Sequence, residues 1–379
     1  MTWMGKAQQI RRQNRKVNIV ASKLFSMLRE DGMRCCILKG QGNALMYPNP
    51  YSRIPGDIDV WIDASRERIM EYAQKKFELE DDIRLQHLET SLDGVPVELH
   101  FFPCSMNNPI YHARLQKWFR RNADLQCSHI VGLPDGAGDI AIPTTAFNVI
   151  YQLTHLYHHF FDEGIGMRQI IDYFLVVNDF SKNVFLNNDL SNPSVSLSKG
   201  SSTSHPSPLS SEERDVTALR CSEPLRSKDG GASKPSPNCA GWDRLAIEED
   251  NSAGSTTVVT SSASTALDVV QRELKYLGLW KFAGAVMYVL HEALGLSEEK
   301  MIAPMDEKRG KLLLAEILEG GNFGRHFTKY GHFTKQGMAK KYFLKIWRNM
   351  HFVRYYPAEA LSEPIFRTWH FFWRVKNKK

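Results

Sequence analysis

Three carboxylates stand where they can act together. Asp57 and Asp59 lie two positions apart in a segment whose apolar residues alternate with polar ones. This period of two predicts a β-strand with both carboxylates on one face, and adjacent carboxylates repel unless a cation lies between them. Glu98 lies between Val97 and Leu99 on a second predicted strand, which can bring it to the aspartates. Three carboxylates and two metal ions can activate a hydroxyl group and stabilise leaving pyrophosphate, so we predict these acids as catalytic ligands of Mg²⁺ or Mn²⁺.

The segment upstream has features of a phosphate-binding loop. Lys39-Gly40 ends an apolar run of strand length, and Gln41 opens a short predicted helix. Glycine lets phosphate approach the backbone, and a helix N-terminus presents free N–H groups. The ammonium group of Lys39 adds a full charge near the triphosphate of an NTP substrate. The residues predicted to bind this nucleotide are Lys39, Gly40, Gln41, Arg53, Gly56 and Arg168.

The elements around these residues alternate between helix and strand. Asp93-Gly94 is a two-residue hairpin signal between strand candidates at 84–88 and 95–102. A small α/β (α+β) core with a mixed sheet is the fold that this order predicts. Beyond residue 144 the apolar spacing is helical, with helices predicted over 146–161, 167–180 and 267–294. The predicted domains are an N-terminal helix at 1–32, a catalytic core at 33–140 and a helical domain at 141–182 and 267–379.

A serine-rich segment interrupts the predicted helical domain. Residues 191–266 contain 19 serines among scattered Pro, Gly and Thr, with little apolar periodicity. Such a segment cannot bury enough surface to offset the entropy of ordering. We therefore predict a disordered insertion over 183–266.

The positive charge of the chain is concentrated at its C-terminal end. Residues 306–379 carry 16 Lys or Arg and six Asp or Glu, a local charge of +10, whereas the whole chain carries +6. This asymmetry predicts an anionic partner there, such as nucleic acid, a phosphorylated acceptor or an acidic lipid surface. Packing of the aromatic residues within the helical domain is the alternative interpretation.

Several classes of protein are disfavoured by the sequence. The charged N-terminus lacks the apolar segment of a signal peptide, and no apolar run is long enough to span a membrane. The six cysteines form no C-x-x-C motif, so a reducing cytoplasm is the predicted location.

Some further residues could belong to a functional site, but each also has a simpler structural interpretation. His155 and His159 are spaced as a metal pair on a predicted helix, but a polar wall of the nucleotide pocket is the favoured interpretation. His100 shares the strand face of Glu98 and can line the same site. Arg168 can pair with Asp172 across one helical turn. The glycine-rich stretch at 320–324 lacks the P-loop pattern and predicts a turn.

Four segments of the chain resemble a known family. LKGQGNALMYPNPYSRIPGDIDVWID is similar to the uncharacterised nucleotidyltransferases of the DNA polymerase β-like superfamily, and the resemblance continues through VPVELHFFP, GIGMRQIIDYF and LEGGNFGRHF. It implies Mg²⁺-dependent nucleotidyl transfer with Asp57, Asp59 and Glu98 as the acids and Lys39-Gly40 as the phosphate loop. The family is common in bacteria, often beside surface-polysaccharide genes. Gln41 departs from the usual Gly-Ser of the superfamily, and the serine-rich insertion is not a family feature.

Together these features predict transfer of NMP from an NTP to an acceptor hydroxyl or phosphate, and the resemblance implies a role in surface-polysaccharide synthesis. The acceptor itself is not specified by any residue. The alternative is a non-catalytic protein that binds a nucleotide or a partner on the same fold.

Overall fold

The computed structural model of the protein describes residues 3–79, 84–191, 265–320 and 338–377. Most of the predicted serine-rich insertion, residues 192–264, lies outside the described residues. The glycine-rich stretch beyond Gly320 lies outside them as well.

A four-stranded mixed sheet forms the centre of the N-terminal half. Its strands are β1 (Cys35–Leu38), β2 (Ile58–Ile62), β3 (His87–Leu92) and β4 (Val95–His100), in the spatial order β1-β2-β4-β3. The two central strands, β2 and β4, are parallel, whereas both outer pairs are antiparallel. The predicted mixed sheet and α/β class are therefore confirmed.

Strands β1 and β2 are buried on both faces, and the two faces of the sheet contact different parts of the protein. Ile58, Val60 and Ile62 of β2 join a core that includes helices α1 (Trp3–Glu30) and α3 (Arg66–Lys76). Asp59 and Trp61, which alternate with them, project from the opposite face. Trp61 belongs to the second core, among the helices, where its ring stacks on Phe147 at a centroid distance of 6.2 Å. The polar residues of this face consequently lie between the sheet and the helical region.

The remainder of the described chain is mainly helical. It also contains a short two-stranded sheet, formed by Ile130–Gly132 and Asp139–Ala141. This sheet was not predicted, because its strands have only three residues each. The elements are α2 (Gly40–Ala44), α4 (Pro109–Ser128), β5 (Ile130–Gly132), β6 (Asp139–Ala141), α5 (Thr145–Asp162), α6 (Met167–Ser191), α7 (Ala266–Tyr276), α8 (Trp280–Leu294), α9 (Glu307–Gly320), α10 (Met338–Met350) and α11 (Pro357–Asn377). Within the described parts of the chain, no helix combines the length and apolarity needed to cross a membrane.

The prediction of one continuous helix over 267–294 was wrong. Two helices, α7 and α8, replace it, and the chain bends between them at Gly278, where φ is +73°. A Cβ atom there would lie 2.5 Å from the ring of Tyr111. The bend therefore requires glycine both for its backbone angle and for the close approach of α4.

One buried carboxylate of α11 binds the backbone of the loop between β4 and α4. Glu359 is 1% exposed and accepts hydrogen bonds from the backbone N–H groups of Asn107 and Asn108, which precede α4. Burial outweighs these hydrogen bonds and raises the pKa of Glu359 to about 7. Because this folded-state pKa lies above the ordinary value of 4.5, Glu359 binds a proton more readily in the folded state.

The stability that Glu359 contributes should therefore be greatest below pH 4.5 and should be lost as the pH rises through 7. We expect Glu359→Gln to remove this component, worth about 3 kcal/mol, from the pH dependence of the free energy of unfolding. Urea denaturation of the wild type and of Glu359→Gln from pH 4.5 to 8 measures this free energy of unfolding. Glu307→Gln changes an exposed acid and is the control. Identical pH profiles for the wild type and Glu359→Gln would contradict the expectation.

Candidate functional site

The sheet brings the predicted carboxylates together through its strand register. Asp59 of β2 is the parallel partner of Glu98 of β4. Directly opposed residues of neighbouring strands project from the same face, so these two carboxylates are neighbours. Asp57 immediately precedes β2 and also lines the cavity above this face. The geometric prediction that Glu98 lies near both aspartates is therefore fulfilled.

The cavity is markedly polar. Its volume is about 350 Å³, and Leu156 is the only apolar side chain among its described lining residues. The sheet side carries the three predicted acids and two histidines, whereas the segment from α5 to α6 contributes three histidines, one arginine and three further acids. The lining residues are Lys39, Gly40, Asn43, Arg53, Gly56, Asp57, Asp59, Arg84, Gln86, His87, Glu98, His100, Gln152, His155, Leu156, His158, His159, Asp162, Glu163, Arg168, Gln169 and Asp172.

Lys39 lies between the acidic and the histidine-rich sides of this cavity. Its Nζ atom is 3.1 Å from Oδ1 of Asp59 and 2.9 Å from Nε2 of His155. Lys39 also has a φ of +48°, a backbone conformation that is uncommon outside glycine. Since β1 ends at Leu38, this unusual backbone directs the chain from the sheet into α2.

His100 links Asp59 to Glu98. Its Nε2 atom lies 3.1 Å from Oδ1 of Asp59 and 3.1 Å from Oε2 of Glu98. Burial opposes protonation of His100, but the two carboxylates outweigh it and raise its pKa to about 9. The predicted position of His100 beside Glu98 agrees with the structure.

The three acids differ in their electrostatic surroundings. Burial opposes ionisation of Asp59, but Lys39 and His100 outweigh burial and lower its pKa. Burial also opposes ionisation of Glu98, but the hydrogen bond from His100 contributes to a net lowering of its pKa. Partial removal from water, followed by the charges of Asp59 and Glu98, raises the pKa of Asp57. Asp57 is therefore the acid whose charge has the weakest compensation.

The predicted partner of Asp172 was wrong. Asp172 pairs with Arg53 rather than with Arg168, through distances of 3.0 Å to Nε and 2.9 Å to Nη2, and both side chains are buried. Tyr47 donates a further hydrogen bond of 2.6 Å to the same carboxylate. Arg53 lines the cavity as predicted, but Asp172 engages two of its three guanidinium nitrogens.

Arg168 remains available to a ligand because Asp172 is engaged elsewhere. It is half-buried, it lines the cavity, and its Nη2 atom lies 3.7 Å from where a Cβ atom would be at Gly56. Among the described residues, no ion pair or hydrogen bond is made by its guanidinium group. Gly56 thus leaves room for Arg168 beside Asp57.

The predicted contact of Gln41 with the nucleotide disagrees with the structure. The Gln41 side chain is buried and donates a hydrogen bond to Asn18 of α1, away from the cavity. The helix that it was expected to open is α2, which has only five residues and begins at Gly40. Gly40 lines the cavity, so the backbone side of the predicted phosphate loop is retained.

The histidines of α5 form part of the cavity wall. The Nε2 atoms of His155 and His159 are 3.2 Å apart. Burial, followed by the charge of Lys39, lowers the pKa of His155, which is therefore neutral at physiological pH. This placement agrees with the predicted polar wall.

His87 is the residue of this site that the sequence analysis missed. It is the antiparallel partner of His100, and its Nδ1 atom lies 3.5 Å from Oε2 of Glu98. Burial lowers the pKa of His87 to about 4. The hairpin turn at Asp93-Gly94 was the signal that could have found it, because a two-residue turn sets 87 opposite 100.

Comparison with known proteins identifies the family of the chain. The model of a family described as uncharacterised nucleotidyltransferases matches residues 1–191, and the chain belongs to this family. Membership supports nucleotidyl transfer as the general activity. No curated protein matches the chain. The crystal structure of an antigenic nucleotidyltransferase-like protein from Paracoccidioides brasiliensis is similar with 17% identity and a TM-score of 0.29, over 46% of this chain and 89% of that chain.

Proposed function

We propose that the protein transfers NMP from an NTP to a hydroxyl or phosphate group of an acceptor, with Mg²⁺ or Mn²⁺ bound at Asp57, Asp59 and Glu98. The observation that carries the proposal is the placement of these acids on one face of the sheet, in one cavity with Lys39 and Arg168. A polyphosphate bound between them would contact Arg168 on one side and the metal-binding acids on the other.

The carboxylates suit a divalent cation. Asp57, Asp59 and Glu98 provide hard oxygen ligands. The pKa of Asp57 is raised by burial and, after it, by repulsion from the other two acids, which a cation would relieve. Metal ions at such sites polarise the phosphoryl group and neutralise the charge that develops on leaving pyrophosphate.

The residues that line the cavity have separate roles in this proposal. Lys39 and Arg168 bind phosphate oxygens, together with the backbone at Gly40 and Gly56. Glu98 completes the site as a metal ligand or, alternatively, as the base that accepts the proton of the acceptor hydroxyl. Arg53 holds the loop before β2 through its ion pair with Asp172. The polar cavity wall of α5 completes the enclosure.

One observation favours a second function, that of a non-catalytic nucleotide-binding protein. Lys39 and His100 already neutralise Asp59 without any metal ion. A protein that bound nucleotides through Lys39 and Arg168 alone would need no divalent cation. The two functions therefore differ in the metal dependence of nucleotide binding.

Thermal-shift measurements with each NTP, with and without Mg²⁺, test the proposed function. We expect the wild type to be stabilised only when both ligands are present, because ligand binding raises stability by mass action. Asp57→Asn/Asp59→Asn should lose the Mg²⁺-dependent part, and Arg168→Met should weaken the shift in the presence of Mg²⁺.

The matched control is Asp63→Asn, which changes an acid just beyond β2 that pairs with Arg34 outside the cavity. This variant should behave as the wild type. Equal stabilisation by an NTP with and without Mg²⁺ would favour the non-catalytic function instead.

A further inference from the structure

A cluster of nitrogen and oxygen donors lies beside the aspartates. Ring nitrogens of His87 and His100 and a carboxylate oxygen of Glu98 all lie within 4.8 Å of one another. The Nδ1 atom of His87 is 3.5 Å from Oε2 of Glu98, and Nε2 of His100 is 3.1 Å from the same oxygen. Donors bound to one metal at about 2.0–2.2 Å stand roughly 3–3.6 Å from each other at octahedral or tetrahedral angles. The two distances to Glu98 therefore already match those of neighbouring ligands.

The backbone holds this cluster in place. His87 and His100 are opposed across the β3–β4 pair, and Glu98 lies two positions before His100 on the same face. The three side chains therefore emerge from a hydrogen-bonded hairpin, a rigid support for a metal site.

The ring nitrogens of the largely buried His87 lie 3.5 Å from a carboxylate oxygen of Glu98 and 3.6 Å from one of Glu89. The His87 side chain is 12% exposed, and neither ring nitrogen makes a hydrogen bond within the described parts of the structure. Buried polar groups are hydrogen-bonded in the great majority of cases, so an exception calls for an explanation. A metal ion would use a ring nitrogen that the protein itself leaves without a hydrogen bond.

The donor types distinguish between metals. Mg²⁺ takes oxygen ligands almost exclusively, whereas imidazole suits first-row transition metals such as Co²⁺, Ni²⁺ and Zn²⁺. Two imidazoles and one carboxylate are a donor set for a first-row transition metal.

We propose that His87, His100 and Glu98 form a second kind of metal site, which binds a divalent transition-metal ion in preference to Mg²⁺. The inference rests on the proposed function, because it specifies the metal at one side of the same centre. Glu98 lies at the boundary, where its carboxylate faces both the histidines and Asp59. The centre would then be mixed, with a transition metal on the hairpin and Mg²⁺ at Asp57 and Asp59.

Titration of the full-length protein with Co²⁺ tests this site, followed by visible absorption and with no nucleotide present. We expect one Co²⁺ ion whose spectrum indicates nitrogen ligands and which excess Mg²⁺ does not displace. His87→Ala should weaken its binding at least about tenfold, since the loss of a group that only supports a ligand already costs about 10–100-fold. His158→Ala is the matched control, because it removes another cavity-lining histidine outside the cluster.

Pulsed EPR of Mn²⁺ bound in the presence of excess Mg²⁺, which competes for the oxygen ligands of Asp57 and Asp59, is a second measurement that requires no variant. Nitrogen coupling to Mn²⁺ is the expected result, and its absence would overturn the proposal. Equal Co²⁺ affinity in the wild type and in folded His87→Ala would overturn it too, as would equal losses in His87→Ala and His158→Ala. The Mg²⁺-dependent NTP shift reports separately on the proposed function, which stands if that shift persists while Co²⁺ binding fails.

Discussion

Asparagine at both Asp57 and Asp59 is expected to lower NTP-dependent pyrophosphate release by at least about a thousandfold. Asparagine keeps the size of both side chains but removes the negative charges that the cation requires. A bound metal supplies several kcal/mol of transition-state stabilisation, and about 4 kcal/mol corresponds to this factor. The measurement is pyrophosphate release with saturating Mg²⁺ and NTP, with acceptor preparations supplied in parallel.

Two controls accompany this experiment. Asp63→Asn should retain the wild-type rate, since its side chain pairs with Arg34 outside the cavity. Circular dichroism and thermal melting should show that the double variant is folded. If Mg²⁺-dependent pyrophosphate release survived in the folded double variant, the carboxylate assignment would be wrong.

The second large effect concerns stability. Asp172→Ala would leave Arg53 buried without its counter-ion and would remove the acceptor of the Tyr47 hydroxyl. Breaking a buried ion pair by removing one partner costs about 3–5 kcal/mol. We expect a loss of this size in the free energy of unfolding, measured by urea denaturation.

The comparison variants separate burial from charge. Asp93→Asn breaks the ion pair with Lys23, whose side chains are about half exposed, and should cost at most about 1 kcal/mol. Arg53→Met/Asp172→Leu replaces the buried pair by apolar side chains and should recover much of the loss. An Asp172→Ala variant as stable as Asp93→Asn would show that Arg53 finds another partner or water.

The sequence was most informative where local pattern determines position. Alternation over residues 57–62 placed Asp57 and Asp59 on one face, because side chains along a strand alternate between its faces. The Asp93-Gly94 turn determined which residues of the predicted hairpin oppose one another, because turn length sets the register. The same turn length also sets His87 against His100. That pairing could therefore have been obtained from the sequence, but only by extending the register to the far end of β3.

The contacts that were missed join residues far apart in the chain. Arg53 and Asp172 are separated by 119 positions, whereas Arg168 and Asp172 are four apart on one helix. Local spacing favours the pairing of Arg168 with Asp172. The pairing of Arg53 with Asp172 depends on the packing of α6 beside the loop before β2. Gln41 was misplaced for a similar reason, since its partner Asn18 lies on α1. Tertiary packing, rather than propensity, decided these outcomes.

The contact between Lys39 and Asp59 has a consequence for the order of ligand binding. The ammonium group acts as a resident counter-ion, and a divalent cation at Asp59 must displace it. A displaced ammonium group would be stabilised by triphosphate oxygens, so the nucleotide offsets the cost of displacement. Metal and nucleotide would then show heterotropic linkage, in which each raises the affinity for the other by the same factor. The free protein would be protected from adventitious cations at Asp59 until the nucleotide arrives.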